Sequence, residues 1–257
     1  MSAQRMTRPS AERWWFQQGM SSDFLAKFWA TLWSSKKEPK IIIMQWLLIH
    51  RALPVGQMQH SSESSRCKLC NYPIETLKHC LWECQAAQLV WKRVLRILAI
   101  RCIEGLFSWG MVVWATSDVM TFQYDSDPRD TVFKIQQKRV SCMQMEQLQV
   151  PYVIENMHIV WELMCTITMW YIWTARCSKV FDDNTVHPVE TVRNIWVMAV
   201  HTLKGQYDDL ISHEPNDKNA RLSFLAHWQN GPFLQLRGGS PIWNFTPPTW
   251  LFPPPIT

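Results

Sequence analysis

The sequence is that of a mainly α-helical protein in two parts, a small cysteine-stapled helical module followed by a tryptophan-rich helical region. Three observations point there. Apolar residues recur at intervals of three and four, as at Phe24, Phe28 and Leu32 and again at Ala87, Val90, Trp91, Val94 and Leu95, the period of a helix with one buried face. Between those runs lies a dense stretch, residues 67–91, reading CKLCNYPIETLKHCLWECQAAQLVW. A nearly uninterrupted apolar segment at 159–173 supplies a second hydrophobic centre.

Taken in order, residues 1–22 are polar and mixed, and are expected to be disordered. Asp23 is placed to cap a first helix carrying Phe24, Phe28 and Leu32, with Trp29 and Trp33 alongside. Pro39 interrupts it by holding Glu38 out of helical geometry. Residues 41–54, IIIMQWLLIHRALP, are too continuously apolar for a surface helix and so belong at the centre of their domain, ending at Pro54 and Gly56. A helix over 83–100 buries Ala87, Val90, Trp91, Val94, Leu95 and Leu98 and leaves Gln88, Lys92, Arg93 and Arg96 mostly off that face. Residues 103–115 fit strand or helix equally. A turn-rich acidic stretch at 117–130 marks a boundary or long loop, and a polar helix follows over about 131–149. Then come helices over 153–178 and about 188–207, the latter with Pro188 in its first turn. The end, GGSPIWNFTPPTWLFPPPIT, is rich in proline and reads as a polyproline-like linker. The expected domains are therefore 1–22, 23–101, 102–213 and a proline-rich tail, 214–257.

Composition narrows the class. Hydrophobic residues make up 47% and charged ones 18%, a globular balance on the apolar side. The sixteen tryptophans read first as core, and second as platforms for nucleobases. The net charge of +5 is uneven: residues 36–101 hold eleven basic and four acidic side chains, whereas 102–257 hold eleven and fifteen. Positive charge thus gathers around the cysteines, where a polyanion would be held. Four of the eight cysteines fall within 67–84 and the others stand singly. With no apolar export signal in MSAQRMTRPSAERWW, this suggests a reducing compartment, cytoplasm or nucleus. The 159–173 segment is too short and carries Glu162, Thr166 and Thr168, so a buried helix is expected and no membrane span.

Cys67 and Cys70 can present two thiolates from one tight turn, and His79 and Cys84 follow at metal-ligand spacing. Such a Cys3His set closes a zinc tetrahedron and leaves no position for substrate or activated water, so the zinc is structural. His79 and Cys84 are five apart, which requires the helix to begin or bend between them. Cys80, four residues before Cys84, shares a helical face with it more easily and is the alternative fourth ligand.

The stretch FWATLWSSKKEPKIIIMQWLLIHRALP followed by CKLCNYPIETLKHCLWECQAAQLVW resembles the zinc-binding domain that follows the polymerase in plant non-LTR (LINE-type) reverse transcriptases. The residues that carry the likeness are Phe28, Trp29, Leu32, Trp33, Pro39, Lys40, Trp46, Leu53 and Pro54. They are joined by Cys67, Cys70, Glu75, Thr76, His79, Cys84, Val90 and Trp91. Cys80 stands where that family carries an aliphatic residue, which favours His79 as ligand. Further on, Ile172, Trp173, Arg176 and Phe181 are similar to an Ile-Trp-x-x-Arg-Asn-x-x-x-Phe segment of the same elements, with Cys177 in place of the asparagine. The resemblance implies a detached piece of a retroelement polyprotein that binds zinc and, through Lys68, Lys78, Lys92, Arg93 and Arg96, the phosphates of RNA or DNA.

No enzyme chemistry is expected. The pairs Asp182-Asp183 and Asp208-Asp209 follow an aromatic residue directly, one position out of register with the metal-binding hairpin of a polymerase, and read as loop and helix-end charge. Phosphate-loop, nucleophile-elbow and metalloprotease patterns are absent from the sequence. His158 and His201 have no partners at metal-ligand spacing. Small-molecule substrates are not implied. The alternative to nucleic acid is a protein partner, docked on a helical surface that zinc merely holds in shape.

Overall fold

The computed structural model describes residues 10–17, 20–34, 38–58, 65–97, 157–228 and 232–252. In chain order these form α1 (Ser10–Gln17), α2 (Ser22–Ser34), α3 (Pro39–Ile49), α4 (Gln85–Ile97), α5 (Met157–Phe181), α6 (Pro188–His213) and α7 (Lys218–Trp228). A hairpin of β1 (Leu234–Arg237) and β2 (Ser240–Trp243) follows. The protein is mostly helical. The expectations for 103–115, 117–130 and 131–149, and for the side chains of Leu98 and His158, lie outside the described residues.

Two N-terminal expectations are corrected. Part of the segment expected to be disordered forms α1, because Trp15 has somewhere to go: it is buried and its Nε1 donates to the Ile49 carbonyl at 2.8 Å. The cap of α2 is Ser21, whose Oγ accepts from the Phe24 amide at 3.1 Å. Asp23 sits instead in the first turn, where its charge favours the helix dipole.

Glu38 is extended (φ −60°, ψ 139°) and Pro39 opens α3, the position where a missing N–H is harmless. The helix stops at Ile49, before Pro54, through a left-handed Arg51 (φ 54°). The amide of Ala52 bonds the Leu47 carbonyl and that of Arg51 the Leu48 carbonyl, the paired bonds of a Schellman end. Glycine usually marks that end, so the arginine hid it. Ile41, Met44 and Leu48 of α3 enter the main core, while Ile49 joins a smaller cluster of Trp15, Met20, Phe24, Leu25, Phe28 and Leu32. A helix wedged between two cores needs apolar residues on both sides.

α5 is buried without a break from Leu163 to Met169. Its hydroxyls are satisfied by back-bonding, Thr166 to the Glu162 carbonyl (3.0 Å) and Thr168 to that of Met164 (2.6 Å). No helix among the described residues is long and apolar enough to cross a membrane. α5 packs on α3, α4 and α6, and α4 also packs on α6. Pro188 opens α6, with His187 as cap.

The proline-rich tail is corrected as well. Part of it is α7, and part is the hairpin, turned by Gly238 (φ 59°) and Gly239 (φ 81°), the left-handed pair a two-residue turn requires. Leu234 pairs with Trp243 and Arg237 with Ser240. A two-stranded sheet has only edge strands, so Pro241 is tolerated in β2. Phe233, Leu234 and Leu251 are fully buried in the main core, and Trp196 Nε1 of α6 donates to the Asn244 carbonyl at 2.7 Å. The segment's described part, residues 232–252, is packed structure and not a linker.

Candidate metal centre

Four donors converge ahead of α4. Sγ of Cys67, Cys70 and Cys84 and a ring nitrogen of His79 all lie within 4.8 Å of one another. Cys67 and Cys84 sulfurs are 3.8 Å apart, and Cys70 Sγ is 3.2 Å from His79 Nε2. A tetrahedron with zinc–sulfur bonds of about 2.3 Å has edges of about 3.8 Å, so the donor set and its spacing fit zinc. Cys67 and Cys84 are buried and Cys70 is half-buried.

Each donor is placed by local backbone. The 67–70 turn aims the amides of Leu69 and Cys70 at the Cys67 sulfur. Asn71 then takes the left-handed conformation (φ 64°), and the Cys67 amide donates to the Tyr72 carbonyl at 2.9 Å. His79 opens a π-helical turn, His79–Glu83, in which the Cys84 amide donates to the His79 carbonyl at 2.7 Å. Cys84 itself is extended (ψ 134°), and α4 starts at the next residue. This is the bend that the five-residue spacing demands: the wide turn and the break bring both ligands to one point. Cys84 also serves as cap, since the amides of Ala86 and Ala87 point at its sulfur.

Two of the four donors, Cys84 and His79, are shifted toward the form that binds a cation. The hydrogen bond from Cys67 is the main cause that lowers the Cys84 pKa, with the helix amides helping, while the same bond and burial push Cys67 up. Burial lowers the pKa of His79, which favours the neutral imidazole a metal needs. Cys80 lies outside the cluster. It is fully buried on the α5 side, and burial pushes its thiol up.

The centre is held to the second region by a contact that the sequence contained only in pieces. Glu75, fully buried, receives Arg176 of α5 on both oxygens (Nη2–Oε2 2.8 Å, Nε–Oε1 3.3 Å), and Oε2 also accepts the Gly56 amide at 2.8 Å. A Cβ at Gly56 would sit 2.4 Å from the Ser65 carbonyl oxygen and 3.1 Å from the Glu75 Cβ, so only glycine allows this approach. The Arg176 guanidinium also lies 5.0 Å from the Trp173 ring centre. Glu75 and Arg176 stood out in two separate motifs; the structure joins them.

The basic residues are more dispersed. Lys68 and Lys92 are exposed, Lys78 is exposed and 3.1 Å from Glu83, and Arg93 is half-buried and donates to the Leu89 carbonyl. Arg96 belongs to α4, but its side chain lies outside the described residues. The aspartate pairs carry surface contacts: Asp183 is ion-paired with Lys179 and Asp208 with Lys204, and Asp209 lies 3.1 Å from Nδ1 of His213. His201 is exposed, its ring 4.7 Å from Phe245.

Comparison with known proteins agrees with the site. A family model described as zinc-binding in reverse transcriptase matches residues 10–91. An Arabidopsis thaliana protein, named as a candidate ribonuclease H protein, is 23% identical over 164 residues, 63% of this chain and 21% of its own length. The match therefore spans about a fifth of that relative. No solved structure matches the chain at a significant level.

Proposed function

We propose, since residues 10–91 match a family model described as zinc-binding in reverse transcriptase, that the protein is a structural zinc module of retrotransposon origin that holds RNA or DNA without catalysing a reaction on it. The observation that carries this is the converged Cys67, Cys70, His79 and Cys84 set. These four would hold the ion by three sulfurs and Nε2; zinc would supply folding energy and leave no coordination position for water or substrate. Lys68, Lys78, Lys92, Arg93 and Arg96 are the residues assigned to phosphates. The ribonuclease H name belongs to a relative at 23% identity; in this chain Asp183 faces Lys179, Asp208 faces Lys204 and Asp209 faces His213, which supports reading them as surface charge.

The test has two steps. Purified protein should contain one zinc per chain, lost in Cys84→Ser. Anisotropy titration with labelled nucleic acid should then show affinity that falls linearly in log–log form with salt. No binding at low salt, or binding indifferent to salt, ends the nucleic-acid reading. A protein-docking role draws on Trp33 and Ile43, 59% and 54% exposed on α2 and α3. Partner association that survives nuclease treatment would favour it.

A further inference from the structure

Beside the metal centre, one aromatic ring is held rigid with a face to solvent. Tyr72 lies flat on His79, ring centres 4.6 Å apart and planes 14° apart, yet it remains 55% exposed. One face covers the imidazole; the other meets water. Ile74 is 53% exposed next to it, with exposed Pro73 between them. The loop is pinned. The Tyr72 carbonyl accepts from the Cys67 amide at 2.9 Å, the Asn71 amide donates to the Cys67 carbonyl at 2.8 Å, and Ser65 Oγ donates to the Pro73 carbonyl at 3.2 Å. An apolar surface this rigid loses little entropy on binding.

Its surroundings say what would cover it. Arg66, Lys68 and Lys78 are all exposed on the flanking turns. Within 65–97 the acidic residues are Glu75, buried against Arg176, and Glu83, paired with Lys78. Lys68 has no carboxylate partner among the described residues. An apolar peptide would match Tyr72 and Ile74 but leave Lys68 unanswered and Arg66 with only a backbone carbonyl, that of Asn71 at 3.5 Å. A polyanion with flat rings answers both. In a duplex the base faces are already covered by their neighbours, so a ring that offers a face can stack only on an unpaired base.

We propose that Tyr72 is a stacking platform for an unpaired base of single-stranded RNA or DNA, with Ile74 at the edge of the base and Lys68 on a neighbouring phosphate. This rests on the nucleic-acid reading above and goes beyond it by naming the strand state and the contact. The experiment titrates full-length protein into labelled oligouridine, oligothymidine and a mixed-sequence duplex at low salt. Wild type, Tyr72→Phe, Tyr72→Ala and Tyr72→Leu are compared, with zinc content measured for each. Wild type should prefer the single strands and Tyr72→Phe should keep that preference. Tyr72→Ala should lose about 5- to 150-fold in single-strand affinity with little change on duplex. Tyr72→Leu keeps an apolar cover over His79 without a π-face, so a comparable loss with zinc retained separates stacking from mere shielding of the metal. Single-strand binding unchanged in Tyr72→Ala or Tyr72→Leu, or no preference over duplex, overturns the platform and leaves the broader reading standing. Wild type binding none of the three removes both.

Discussion

Gly56, Glu75 and Arg176 meet in the interior, and each is there for a separate physical reason. Glycine leaves room for a carbonyl 2.4 Å from where a Cβ would be, the carboxylate accepts three donors, and the guanidinium supplies two of them. A buried pair is costly to break because the survivor keeps its charge without water. Arg176→Met should therefore lower the unfolding free energy by about 3–5 kcal/mol, measured by denaturant titration. Adding Glu75→Gln to it should recover part of the loss, and a double variant worse than the single one would refute the pairing. Gly56→Ala should cost about 1–3 kcal/mol through overpacking, visible as a lower denaturation midpoint with zinc still bound. Glu75 and Arg176 were each legible as members of short motifs. Their contact was not, because periodicity and spacing speak of neighbours in the chain, and these two are 101 residues apart.

Among the elements, the π turn and α4 show how much a spacing can say. Five residues between His79 and Cys84 do not fit one face of a straight α-helix, and the chain answers with a wide turn, a break at Cys84 and a fresh helix start. Because Cys84 lends its sulfur to the amides of Ala86 and Ala87, a bound metal and the helix would share one anchor. Cys84→Ser should abolish zinc and also reduce helical circular dichroism, whereas Cys80→Ser, outside the cluster, should retain one zinc. Loss of zinc in Cys80→Ser with retention in His79→Ala would exchange the two assignments. α1 and the hairpin were missed for a common reason. Each is short, and each is ordered by a tryptophan N–H reaching a carbonyl far along the chain: Trp15 to Ile49 and Trp196 to Asn244. Local pattern carries no trace of such a partner. The Gly-Gly pair at 238–239 was the one available signal, and the surrounding prolines masked it.

At the scale of the whole molecule, one hydrophobic cluster runs from Cys67 and Cys84 through Trp91 of α4 and Met164 of α5 to Trp196 of α6 and Leu251 near the end. The part that carries the candidate metal centre and the tryptophan-rich part thus bury their apolar surface in common, although composition and charge suggested a division near residue 101. Removing the metal should be felt throughout. Chelation is expected to lower the thermal midpoint of a single cooperative transition followed by tryptophan fluorescence, since the metal's binding energy is folding energy. Two separate transitions, only one of them moved by chelator, would show that the parts fold independently.

The family match closes at Trp91, yet the acid at position 75 finds its counterion on a helix that begins at Met157. A peptide excised at that boundary would own every candidate ligand and still be left with an orphaned anion in its interior. The candidate metal centre is consequently not a portable cassette: wherever it is grafted, the α5 arginine has to travel with it.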